Sequence, residues 1–178
     1  MIVASALTRL LPHPPNFAPI TAMALFAGAH IQHPLLAFAV PISAMILSDM
    51  GLELMTGWGF YSGMWIVYGT FILITVLGRI VRNRIHVVSV FTATMAGSTV
   101  FFLLTNFGVW FGSSLYPKTL DGLAACYSAA LPFFQNSVLG DLFFSAVLFG
   151  GFALAERSLG FLHPAERSSQ DNTSHHGL

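Results

Sequence analysis

An all-α fold, a polytopic membrane helix bundle of about six transmembrane helices, is what the sequence predicts. Three observations carry this. Of 178 residues, 55% are apolar and 8% are Asp, Glu, Lys or Arg, whereas an ordinary soluble domain is about 25% charged. An exterior with so little charge suits lipid and not water. The apolar residues run continuously over stretches close to the ~20 residues that a bilayer-crossing helix needs, where a membrane β-barrel would alternate apolar and polar positions. The basic residues also fall mostly on one side of the alternating spans. Seven basic residues balance seven acidic ones and the seven histidines are scattered, so no basic field speaks for nucleic-acid binding. The single cysteine, Cys126, has no internal disulfide partner.

The elements follow in order. Segment 1–11 is apolar with one charge, Arg9, and runs into the breaker Pro12-His13-Pro14-Pro15-Asn16. It is too short to span alone and lacks the basic start and cleavage site of a signal peptide, so a short first helix is expected. Segment 17–30 is rich in small residues and is stopped by His30-Ile31-Gln32-His33-Pro34, a second short helix that neighbours would shield. Segment 35–54 is a span carrying Pro41, a kink that membrane helices tolerate. Segment 61–78 opens on interfacial aromatics and closes on Gly78-Arg79, with Arg82 and Arg84 beyond. Segment 87–105 is the next span. From 106 to 131 the composition is mixed, with Trp110, Tyr116-Pro117-Lys118 and Asp121, which reads as a structured outer loop with a surface-lying helix at 119–130. Segment 133–155 is the last span. The bundle occupies 1–162, and 163–178 is a polar tail expected to be disordered.

Charge sets the orientation. With Arg79, Arg82 and Arg84 in the cytoplasm, alternation places Arg157 and Arg167 there too and leaves Arg9 and Lys118 outside. Five against two favours this arrangement, with both termini cytoplasmic. No internal repeat supports an inverted-repeat transporter.

Intramembrane ionisable residues are costly, and each marks a functional hypothesis. In this orientation Asp49, Glu53, Asn106, Asn136 and Asp141 lie at the outer level of the membrane. His13 and Asn16 at the proline corner join them, as do Trp110, Tyr116 and Lys118 in the outer loop. Ser137, Asp141 and Ser145 are four apart, and Thr92, Thr99 and Asn106 seven apart, so each set forms a polar stripe on one helix. The stripes either line an outward-opening pocket or hold the bundle together by interhelical hydrogen bonds. Gly59 to Gly63 and Gly108 to Gly112 match the GxxxG spacing but read as turns at helix ends. The pair His175-His176 lies in the tail, and no metal site or cofactor is expected.

Enzyme signatures fail on inspection. Leu139-Gly140-Asp141 with Asp49 approaches the paired-carboxylate pattern of intramembrane aspartyl proteases, but Val138 takes the place of the first glycine. Phe60 precedes Tyr61-Ser62-Gly63, which breaks a rhomboid-like GxSG, and neither a P-loop nor a Rossmann fingerprint is present. The chain is read as no enzyme.

Several motifs occur together: Arg9-Leu10-Leu11-Pro12-His13-Pro14-Pro15-Asn16-Phe17-Ala18-Pro19-Ile20, Leu47-Ser48-Asp49, Thr105-Asn106-Phe107-Gly108-Val109-Trp110, Tyr116-Pro117-Lys118-Thr119-Leu120, Ala125-Cys126-Tyr127 and Pro132-Phe133-Phe134-Gln135-Asn136-Ser137-Val138-Leu139-Gly140-Asp141. In this combination, over about residues 9–150, the chain resembles an uncharacterised bacterial family of membrane transport proteins. That family is grouped with the substrate-binding S components of energy-coupling-factor (ECF) vitamin transporters. The resemblance implies an S-component-like bundle of six helices with both termini cytoplasmic, in a bacterial inner membrane. It implies an outward pocket for a vitamin-like micronutrient, and partners in a transmembrane T subunit and separate ATPase subunits. Two departures stand out. The chain begins close to the His13-Pro14-Pro15-Asn16 motif, where relatives carry a fuller first helix. The nearest small-xxx-small face for T-subunit docking, Ala18 to Ala22, lies in the second segment.

The expected function is therefore capture of a small-molecule substrate at the outer face of a lipid bilayer. Asp49, Asn106 and Asp141 would hydrogen-bond the ligand, Trp110, Tyr116 and Tyr127 would stack on its ring, and His13 with Asn16 would close the mouth. Lys118 and Asn136 are counted among the substrate-binding residues. The alternatives are a proton-coupled carrier that uses Asp49 and Asp141 as its relay and, behind it, an intramembrane aspartyl protease.

Overall fold

The computed structural model describes residues 1–11, 14–57, 59–61 and 63–162, with the side chains of 159–162 left aside. His13 and the tail 163–178 therefore lie outside the described residues. Every regular element among the described residues is helical: α1 (Ile2–Leu7), α2 (Ile20–His30), α3 (Pro34–Thr56), α4 (Met64–Val81), α5 (Val87–Gly112), α6 (Leu120–Ser145) and α7 (Gly151–Leu162). Short 3-10 turns follow α1 and α4, and a single π-helical stretch, Ala146–Gly150, joins α6 to α7 without a break.

Among the described residues four helices are long and apolar enough to cross a membrane: Pro34–Thr56, Met64–Arg84, Val87–Gly112 and Leu120–Ser158. Only 22% to 33% of the apolar window of each is buried inside the protein. Most of each apolar surface thus faces outward, which identifies lipid as the surrounding solvent. Of the six spans expected, α1 and α2 fall short. The 11 residues of α2 rise about 16 Å, roughly half of a bilayer's hydrocarbon thickness.

That short helix is the centre of the molecule. Thr21 through Ala29 are all buried, as befits a helix with no polar face, and α1, α3, α4, α5 and α6 all pack around it. Small residues make the closest crossing. A Cβ on Gly28 would lie 2.2 Å from the Thr75 carbonyl oxygen, and one on Gly78 would lie 2.4 Å from that of Leu25, so α2 and α4 meet backbone to backbone. Local chemistry fits each boundary. Pro34 opens α3 where its missing N–H costs nothing, and Gly57 ends it at φ 71, a left-handed cap that glycine adopts freely. His86 and Ser89 form a reciprocal capping box at the start of α5, and the Thr119 hydroxyl accepts from the Gly122 N–H at the start of α6.

Two boundaries differ from the sequence expectation. The span predicted over 87–105 continues to Gly112, and the surface helix expected at 119–130 is the first part of α6, running straight through Pro132. The outer loop shrinks to 113–119. Its polar residues had read as loop, but Thr119 is a helix cap and Asp121 lies in the first turn, where acidic groups favour helix starts. Gly108 and Gly112 also lie within α5 rather than in a turn, and Gly108 receives the Ile66 side chain of α4.

Candidate functional site

A cavity of about 560 Å³ opens beside the N-terminal end of α2, within the size range of small-molecule sites. Arg9, Asn16 and Ala18 reach it from the N-terminal segment. Thr21 comes from α2, and Met45, Asp49, Leu52 and Thr56 from α3. Tyr61, Val67 and Tyr68 form the next wall. Phe101, Phe102, Thr105 and Asn106 of α5 face Ala130, Phe133, Phe134, Ser137 and Asp141 of α6.

One wall is built around Asp49. Its carboxylate is buried, with Oδ1 2.7 Å from Arg9 Nη1 and Oδ2 accepting a hydrogen bond of 2.6 Å from the Tyr68 hydroxyl. The same guanidinium nitrogen donates to Ser48 Oγ and approaches Met45 Sδ at 3.4 Å, and the Ser48 hydroxyl donates in turn to the Met45 carbonyl. Each carboxylate oxygen therefore has a partner, which is what a buried charge requires. Tyr61 lies nearby in the α3–α4 connection. Burial, and secondarily the charge of Asp49, push its hydroxyl above the usual phenol range against the opposing pull of Arg9, so it stays protonated and able to donate.

The opposite wall is built around Asp141, which is 4% exposed. Its Oδ1 accepts from the Thr21 N–H at 3.1 Å and its Oδ2 from the Ser98 hydroxyl at 2.7 Å. Thr21 is in the first turn of α2, whose N-cap is Pro19 with no side-chain cap of its own. Asp141 thus caps α2 from another helix, meeting an orphan N–H and the positive end of the helix dipole. One turn further along α6, Ser145 Oγ and Thr94 Oγ1 lie 2.9 Å apart in a hydrogen bond.

Four of the sequence-predicted residues, Asn16, Asp49, Asn106 and Asp141, come together at this cavity. Asn106 Nδ2 donates to the Phe102 carbonyl of its own helix, and Asn16 adopts φ 62 in the corner leading to α2, a left-handed conformation that asparagine tolerates. His13 lies outside the described residues, and the other described residues of that set do not line it. Trp110 lies in the last turn of α5, and Tyr116 and Lys118 belong to the α5–α6 connection. There Trp110 Nε1 donates to the Pro117 carbonyl at 2.9 Å, while Lys118 Nζ donates to the Trp110 and Ser113 carbonyls and lies 5.7 Å from the indole centroid. Tyr116 is half-buried in the same connection. Tyr127 ties α6 to α5 through its hydroxyl, which donates to the Leu103 carbonyl at 2.7 Å. Asn136 donates to the Pro15 carbonyl and holds the proline corner against α6.

The model of a family of unknown function, DUF6580, matches residues 1–165. The chain belongs to the DUF6580 family. No curated protein and no solved structure matches it, so the site of this DUF6580 chain is read from its own geometry.

Sequence reasoning missed Arg9 and Tyr68, the two partners of Asp49. Arg9 had counted only toward orientation, yet a lone arginine and a lone aspartate in apolar segments are a pair in waiting. Tyr68 carries no local signal, being 19 residues from Asp49. The α5 stripe divides: Asn106 lines the cavity, whereas Thr92 and Thr99 point outward and each hydroxyl donates to a carbonyl of its own helix; Thr94 and Ser98 face α6 instead. Among the described residues no three His, Cys, Asp or Glu side chains group as metal ligands. The arrangement is chemically suited to hold a molecule by several polar contacts between apolar walls.

Proposed function

We propose that this DUF6580 chain is a substrate-capture subunit for uptake of a vitamin-like micronutrient, working with a separate T subunit and ATPase subunits in a bacterial inner membrane. In this reading α1 and α2 are shortened counterparts of the first two of six S-component helices, and both termini are cytoplasmic. The observation that carries it is the convergence of Arg9, Asp49, Tyr68, Asn106 and Asp141 on one cavity of about 560 Å³ between apolar helices. Such a site binds by a few placed polar groups and broad apolar contact. The lack of a P-loop in the sequence supports separate ATPases as the energy source. The motif resemblance over 9–150 supports the subunit role.

The test is mass spectrometry of small molecules that co-purify with the detergent-extracted protein. A single vitamin-like compound at near one equivalent is expected, and an empty protein after extraction from cells grown in rich medium contradicts the reading. One observation favours a second reading: both buried aspartates line the same cavity, as a proton-coupled carrier would need. That reading predicts uptake driven by a pH gradient in liposomes containing this chain alone, whereas the capture reading predicts none.

A further inference from the structure

We infer that the cavity selects an organic cation with an aromatic or apolar body. This rests on the capture reading above and names the class of its substrate. The charges facing the cavity, among the described residues, are Arg9, Asp49 and Asp141; neither lysine nor histidine lines it. Arg9 and Asp49 cancel as an ion pair. The balance is therefore minus one with Asp141 ionised and zero with it protonated, and it is positive in neither state.

An anion is disfavoured by the same geometry. The one cationic group is engaged with Asp49 Oδ1, Ser48 Oγ and Met45 Sδ. An anionic ligand would have to share the Arg9 guanidinium with Asp49, whose carboxylate would repel it across a low-dielectric site. A cation can approach Asp141, which no side-chain cation among the described residues neutralises. It meets carboxylate oxygens and aromatic rings: Tyr61, Tyr68, Phe101, Phe102, Phe133 and Phe134 all line the cavity. Ring faces carry negative quadrupole potential, and they hold cations most strongly where water is excluded. Two chemically independent features, a charge balance that is never positive and the aromatic lining, thus both disfavour an anion.

Equilibrium dialysis of the purified full chain in detergent, at neutral pH, tests this with three bicyclic probes of similar size: 1-methylquinolinium, uncharged quinoline and quinoline-2-carboxylate. The cation should bind about tenfold or more tighter than quinoline, and the carboxylate most weakly. Phe102→Leu and Phe134→Leu leave every charge in place and should each erode the preference for the cation. Asp49→Asn should erode it further, and the two ring deletions keep the test decisive if that variant does not fold. Carboxylate binding as tight as that of the cation, or a cation preference unmoved by both ring deletions, overturns the inference. An anionic co-purifying compound displaced by quinoline-2-carboxylate would leave the capture reading standing and overturn this one. Binding of no probe by a protein that also carries no co-purified compound would overturn both.

Discussion

Asp49 and Asp141 are both buried carboxylates at the cavity, yet they are held by different devices. Asp49 is neutralised by a cation, Arg9, while Asp141 is stabilised by hydrogen-bond donors, the Thr21 N–H and the Ser98 hydroxyl. The two should respond differently to substitution. Arg9→Met should destabilise the protein by about 3 kcal/mol or more, because it strands a buried carboxylate. Arg9→Met combined with Asp49→Leu should cost clearly less than the sum of the single changes, a coupling that thermal unfolding in detergent can read as a double-mutant cycle. Asp141→Ala should cost about 1–3 kcal/mol by leaving the interior Thr21 N–H without an acceptor, the Ser98 hydroxyl turning to the Thr94 carbonyl, whereas Asp141→Asn, which keeps an acceptor for Thr21, should cost less. Equal losses for Ala and Asn would remove the capping role. Both aspartates stand out in the sequence because isolated charges in apolar runs do. Their partners were harder to find, since Tyr68 and Thr21 reach them only through tertiary packing.

At the level of elements, α2 and α6 decide how the cavity is built. The α2 helix is held backbone to backbone against α4 at Gly28 and Gly78, so Gly28→Ala should force the helices apart and cost about 1–3 kcal/mol as an overpacked contact. Gly69→Ala, where nothing lies within 4 Å of the added methyl, should be neutral or slightly stabilising in the same unfolding assay. Spans α3, α4 and α5 are legible as unbroken apolar runs near bilayer length. The first half of α6 is not, because Asp121 within it and Tyr116 and Lys118 just before it read as loop and only the Thr119 cap marks the helix start. Helical spacing succeeded on α6, where Ser137 lines the cavity and Asp141 and Ser145 bond to α5. On α5 it reached only Asn106 and not Thr92 or Thr99, because a threonine that bonds to its own helix backbone can face lipid without an unpaired hydroxyl.

For the molecule as a whole, four apolar helices among the described residues mark it as a membrane protein, and the orientation proposed from its charge distribution is open to a direct test. The Arg82–Arg84 turn and the connection holding Lys118 lie at opposite ends of α5. With Cys126→Ala as background, Ser114→Cys should label with a membrane-impermeant maleimide in intact cells, and Asn83→Cys only after permeabilisation; the reverse pattern would invert the orientation. Scarcity of charge placed the chain in lipid at the outset, and the few charges within the membrane then marked the cavity. The measurement that bears most directly on the central claim is the amount of small molecule that co-purifies with the wild-type chain and with Ala130→Trp, whose larger ring would fill the cavity from α6. Near one equivalent in the wild type and almost none in the variant is the result expected. Equal occupancy in both proteins would place the ligand elsewhere and contradict the assignment of this cavity.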